Sequence, residues 1–195
     1  MIIYLDTETS GLRPGQICQL SYIMQEASNI TAKNFFFTVD YVELSALMVH
    51  GFSVEKLFSL SGGKRFSAHV EEIKADLERA DLVVAHNYSF DIMFLRAEFE
   101  RLGESLFIKN EFCSMKNMTP VCKLKGKRTG YKYPKLCEMT AYFSLNDYDI
   151  RLTANKLFGR ETDFHDARFD TTALYLCMDM AMHAENALPK LKEFL

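Results

Sequence analysis

Residues 2–11 read IIYLDTETSG, and the class of fold turns on how they are read. Ile2, Ile3, Tyr4 and Leu5 form an unbroken apolar run, the pattern of a short strand covered on both faces rather than of a half-exposed one. That run ends in two acids, Asp6 and Glu8. On an extended chain, residues i and i+2 project from the same face about 6.5–7 Å apart, so both carboxylates aim at one point. Like charges held that close stay ionised only if something positive sits between them. Hard oxygen ligands at this separation suit Mg²⁺ or Mn²⁺. The same acids, together with Thr7 and Thr9, also suit a solvated turn beyond Leu5, so the metal reading needs support from elsewhere in the chain.

Downstream, the pattern is strands first and mostly helices later. QICQLSYIMQ (16–25) and KNFFFTV (33–39) are rich in β-branched and aromatic residues and read as two more strands, with GLRPG as the turn after the first. Residues 42–60 read as short helices around His50–Gly51, with Ser53 an N-cap. Residues 66–80 carry Val70, Ile73 and Leu77 on one helical side. DLVVAHN (81–87) is a buried strand that feeds directly into YSFDIMFLRAEFERLG. There Phe90, Phe94, Ala97 and Arg101 mark a helical stripe closed by Gly103. A helix opening at Pro134, another over 149–157 and a long one from about His165 to Glu185 complete an α/β pattern without internal repeats.

Composition narrows the class. At 195 residues and 48% hydrophobic content the chain can build one sizeable core, and a single domain over 1–195 is expected. No run of about 18 apolar residues is present, and the start lacks a secretory pattern. The expectation is a cytoplasmic protein without a membrane partner. Cys18, Cys113, Cys122, Cys137 and Cys177 are odd in number and contain no CxxC pair, which argues for reduced packing residues. The net charge of −3 predicts no affinity for nucleic acid by itself. Its distribution says more: between Glu111 and Glu138 there is no acid, while Lys116, Lys123, Lys125, Lys127, Arg128, Lys132 and Lys135 all fall there, interleaved with Tyr131 and Tyr133. That mixture suits a phosphate backbone with stacked bases, and equally a solvated loop.

Two more acids join the first pair. Asp91 lies in the first turn of its helix, where the dipole alone favours a carboxylate, but it also follows a buried strand and His86–Asn87, the usual place of a ligand site in an α/β sheet. In HDARFD, Asp166 and Asp170 are spaced i,i+4, an unfavourable like-charge pair that Arg168 or a metal would relieve. His165 is about 140° around a regular helix from Asp170, so the two face one site only if His165 lies on the entering loop or first turn.

LDTETSG, AHNYSFD and HDARFD, in this order and at these separations, resemble the three signature motifs of the DnaQ-like (DEDDh) 3′ to 5′ exonucleases, and VHGF (49–52) and YKYPKL (131–136) are also similar to family features. The resemblance implies an α/β, ribonuclease H-like fold, a mixed sheet of about five strands flanked by helices. It implies that Asp6, Glu8, Asp91 and Asp170 are the catalytic, metal-binding acids and His165 the general base, working with two Mg²⁺ or Mn²⁺ ions. It further implies that Thr9, Ser10, Gly11 and Leu12 grip the terminal nucleotide, with His50, Asn87 and Phe90 as additional contacts.

The expected activity is therefore release of nucleoside monophosphates from single-stranded 3′ ends, DNA favoured over RNA. An oligoribonuclease-like exoribonuclease and a non-catalytic nucleic-acid-binding module are the alternatives. The chain stops about ten residues after its last long helix, which argues against a stable polymerase tether. SLNDYDIRLTANKLFGRETDF (144–164) is longer than a minimal family member needs.

Overall fold

The computed structural model describes residues 1–127, 129–159 and 166–183. Five strands form one sheet: β1 (Ile2–Thr9), β2 (Ile17–Glu26), β3 (Asn29–Phe36), β4 (Leu82–Ala85) and β5 (Glu111–Cys113). Their order is β3-β2-β1-β4-β5. β1 runs antiparallel to β2 and parallel to β4, and β4 is parallel to β5. The expected mixed sheet is thus present, with the opening strand at its centre.

β1 is buried on both faces because helices cover both. On one side Ile3 and Leu5 pack in a core with α3 (Val70–Arg79) and α4 (Tyr88–Arg101). On the other, Ile2 and Tyr4 belong to a second core with α5 (Ser114–Cys122), α6 (Leu136–Tyr142) and α8 (Ala167–His183). Helices α1 (Leu44–His50) and α2 (Val54–Ser61) follow β3, and α7 (Asp147–Phe158) packs on α8. Among the described residues no helix is long and apolar enough to cross a membrane. All five cysteines are free, with Cys18 and Cys177 buried.

Several elements depart from expectation. β3 starts at Asn29, four residues early, because its full ladder with β2, Glu26↔Asn29 through Gln19↔Phe36, takes in NITA. Phe37 and Val39 leave the ladder for the core. β5 and α5 lie in a stretch without helical or strand periodicity. β5 is only three residues long, and Pro120 sits inside α5, which ends two residues later. Only a single 3-10 turn occupies Phe66–Ala68 before α3. Pro134 precedes Lys135, the N-cap of α6, rather than lying in its first turn.

The buried face of α4 corrects the expected stripe. Tyr88, Asp91, Ile92, Phe94, Leu95, Glu98 and Phe99 are buried, while Phe90 and Ala97 are half-buried and Arg101 is exposed. The helix is rotated so that two acids face inward, and each meets backbone N–H groups of the sheet. Glu98 accepts from Ile17 N at 2.8 Å, beside the irregularity where the β1–β2 register shifts between Glu8 and Thr9. A bulge leaves backbone groups outside the ladder, and a carboxylate from α4 satisfies this one.

Candidate active site

Period two along β1 sorts its last residues. Asp6 and Glu8 fall on the same face as Ile2 and Tyr4, the face covered by α8, whereas Thr7 falls on the α4 face with Ile3 and Leu5. Carboxylate oxygens of Asp6, Glu8 and Asp170 come within 4.8 Å of one another. Asp170 reaches them from the first turn of α8. Thr7 instead holds Asp91: its backbone N–H (3.2 Å) and its hydroxyl (2.8 Å) both donate to Asp91 Oδ1. Strand and helix thereby bring the four acids to one end of the sheet.

Burial and mutual repulsion set the electrostatics. Burial, then the negative charges of Asp91, Asp170, Glu8 and Asp166, raise the Asp6 pKa well above the ordinary carboxylate range. Burial and the neighbouring Asp170, Asp166 and Asp91 push Glu8 up to about 9. Burial pushes Asp91 up to about 7 against the two hydrogen bonds from Thr7. Among the described residues no Lys or Arg forms an ion pair with Asp6 or Glu8. A cluster of hard oxygen donors this close fits a divalent cation of the Mg²⁺ or Mn²⁺ type.

Asp166 is kept out of the cluster. Arg168 Nε and Nη2 donate to its two oxygens at 2.8 and 2.5 Å, and Gln19 Nε2 donates to Oδ1 at 2.8 Å. Gln19 lies directly opposite Glu8 in the ladder, and its Oε1 also accepts Ala167 N at 3.1 Å. One buried glutamine thus pins the start of α8 to β2, opposite Glu8 on the neighbouring strand. The like-charge pair of HDARFD is resolved by division: Arg168 takes Asp166, and Asp170 joins Asp6 and Glu8. Thr171 Oγ1, bonded to Ser21 O at 3.2 Å, adds a second tie between α8 and β2.

Thr7, Gln19 and Arg168 thus act on the site through its acids. Gln19 had a sequence signal, a polar residue within a strand of mostly apolar residues. Thr7 had none beyond standing between two acids.

The other candidates divide. Ser10 is engaged within its own turn: its N–H donates to Gln16 O, its carbonyl accepts Glu43 N, and its hydroxyl accepts Gln16 N. Thr9 Oγ1 donates to Gly11 O at 2.8 Å. Gly11 packs on Glu43, whose carboxyl carbon would lie 2.4 Å from an added Cβ, so a larger residue here would displace the end of that exposed side chain. Leu12, three residues past the end of β1, is 75% exposed. His50 Nε2 donates to Thr9 O at 3.2 Å while its Nδ1 accepts Phe52 N at 3.0 Å, which ties α1 to the end of β1. Asn87 opens α4 with φ 76°, and Phe90 packs on Phe94. His165 lies outside the described residues.

No protein-family model matches the sequence. A curated relative, DNA polymerase III subunit epsilon of Buchnera aphidicola subsp. Acyrthosiphon pisum (strain APS), is 28% identical over 123 residues, covering 58% of this chain and 50% of the relative. The chain therefore spans about half the length of the curated relative it matches. Among solved structures, the metal-free form of an E. coli ExoI–ssDNA complex matches with a TM-score of 0.69 at 16% identity, over 99% of this chain and 41% of that one. The two matches bear out the resemblance to DnaQ-like exonucleases and the ribonuclease H-like fold.

Proposed function

We propose that this chain is a metal-dependent 3′ to 5′ exonuclease acting on single-stranded DNA ends, its catalytic unit a single domain over 1–195. The carrying observation is the convergence of Asp6, Glu8 and Asp170 within 4.8 Å at the end of the central strand. The DNA preference is supported by the relatives, one a DNA polymerase subunit and the other solved with single-stranded DNA.

In this reading Asp6, Glu8 and Asp170 hold a first divalent ion, and Asp6 and Asp91 support a second. Bound there, such ions supply Lewis-acid charge for in-line displacement at phosphorus. His165 takes the proton of the attacking water, a task suited to an unperturbed pKa near ~6.5. Thr7 fixes Asp91, and Gln19 fixes the helix that carries Asp170. Leu12 wedges against the terminal base.

A gel time course with 5′-labelled single-stranded DNA and RNA of one sequence, in Mg²⁺ and then Mn²⁺, tests this. The expected result is a ladder shrinking from the 3′ end of DNA, abolished in Asp6→Ala and Asp170→Ala. His165→Ala is expected to slow it by ~10²-fold or more. A ladder on RNA alone would assign the exoribonuclease instead. Binding with no cleavage of either strand would leave a nucleic-acid-binding module.

A further inference from the structure

The basic stretch folds into an arm. After α5, Lys132 N donates to Leu124 O at 2.9 Å, Gly126 N donates to Gly130 O at 3.1 Å, and Lys125 pairs antiparallel with Tyr131. Residues directly opposite in an antiparallel pair share a face, as do their i±2 neighbours. Lys125, Lys127, Tyr131 and Tyr133 therefore crowd one face, and all four are exposed, Tyr131 by 54% and Tyr133 by 57%. The opposite face carries Leu124, Gly126, Lys132 and the buried Pro134, and it lies on the protein. Lys132 is spent there on Glu138, 2.5 Å away. Among the described residues, Lys125 and Lys127 form no ion pair.

The base of the arm is fastened to the acid end of the sheet. His86 Nε2 donates to Pro134 O at 3.1 Å, and its Nδ1 accepts from Ser114 Oγ at 2.9 Å. Burial holds the His86 pKa down at about 4, so the ring is neutral and keeps this arrangement at physiological pH. His86 directly follows Ala85, the ladder partner of Leu5. Neighbouring strands are about 4.8 Å apart, so the anchor stands one strand across from Asp6. The arm leaves the body beside the carboxylates with its cations and rings turned to solvent.

We propose that the face formed by Lys125, Lys127, Tyr131 and Tyr133 is a guide for single-stranded nucleic acid, holding the strand on the 5′ side of the linkage cut at the acid cluster. Lys125 and Lys127 meet phosphates, while Tyr131 and Tyr133 stack on bases. The inference rests on the exonuclease reading and extends it from the reacting nucleotide to the strand behind it. Charge selects the occupant: an arm bare of acids and lined with aromatic rings complements a polyanion with stacking faces.

The test uses Lys125→Ala/Lys127→Ala and Tyr131→Ala/Tyr133→Ala double variants of the full chain, with melting temperatures as the check on folding. Binding of a fluorescent single-stranded 20-mer is read by anisotropy in EDTA, and kcat/KM is compared between the 20-mer and a dinucleotide. Each pair is expected to weaken 20-mer binding about tenfold or more, since stacking alone contributes a factor of this order per base. The lysine pair is expected to flatten the salt slope of log Kd by about 1.4, about 0.7 for each phosphate that is no longer neutralised. The kinetic defect is expected to grow with length, small on the dinucleotide and large on the 20-mer. Unchanged 20-mer binding, or an equal defect at both lengths, would overturn the guide. Wild-type protein that cuts neither substrate would overturn the exonuclease reading, while the anisotropy would still decide the arm.

Discussion

Thr7 stands between the two metal-type acids of β1 and does different work. Its hydroxyl and backbone N–H both reach Asp91, a carboxylate buried almost completely. Thr7→Val keeps the shape and deletes the hydroxyl, leaving one backbone donor. A lost hydrogen bond to a buried charged group costs about 1.5–3 kcal/mol. The expected outcome is a fall in kcat of about tenfold or more with little change in KM, and recovery in Thr7→Ser. Equal kinetics for the Val and Ser variants would show that the bond does not position Asp91.

At the scale of elements, everything turns on how α8 meets β2. The first turn of α8 has to deliver Asp170 to Asp6 and Glu8 while keeping Asp166 away, and Gln19 does both by holding Asp166 and Ala167 N. Gln19→Leu leaves the Asp166–Arg168 pair intact and removes the strand's hold on the helix start. The expected result is at least fivefold weaker Mn²⁺ binding by calorimetry, together with about 1–3 kcal/mol less stability. A lower melting temperature with unaltered Mn²⁺ affinity would reduce Gln19 to a packing residue. The same scale explains why the stripe expected on α4 was misplaced. Hydrophobic periodicity cannot count Asp91 and Glu98 as inward residues, yet both are buried, because strand N–H groups at Thr7 and at the bulge by Ile17 need acceptors.

For the whole molecule, the cluster links folding to pH and to metal. Glu8, at about 9 in the fold, holds a proton that an unfolded chain has released above about pH 4.3. The folded state then binds more protons than the unfolded one, so metal-free stability falls as pH rises through this window toward 9. Melting in EDTA from pH 5 to 9 is expected to show a shallower decline for Glu8→Gln than for wild type. Saturating Mn²⁺, at a hundredfold over its Kd, is expected to add about 2.7 kcal/mol to wild type and much less to Glu8→Gln. An identical pH slope in the two proteins would remove Glu8 from the linkage. By itself the sequence indicated the opening strand, the order of strands first and helices later, and Asp6, Glu8, Asp91, Asp166 and Asp170 as candidate acids, because strand period, helix starts and acid spacing are local facts that survive without coordinates. The mixed sheet and the choice of Asp170 over Asp166 came from the resemblance to the DnaQ-like motifs. Only the tertiary structure decided that Thr7 and Gln19 serve those acids, that Arg168 claims Asp166, and that a basic loop is an arm fastened by His86. Arg168 and Asp166 are only two apart, and there the structure chose between partners that the sequence left open. The Thr7, Gln19 and His86 contacts join residues far apart in the chain, 84 positions for Thr7 and Asp91, 147 for Gln19 and Asp166 and 48 for His86 and Pro134, and packing alone brings such partners within hydrogen-bonding reach.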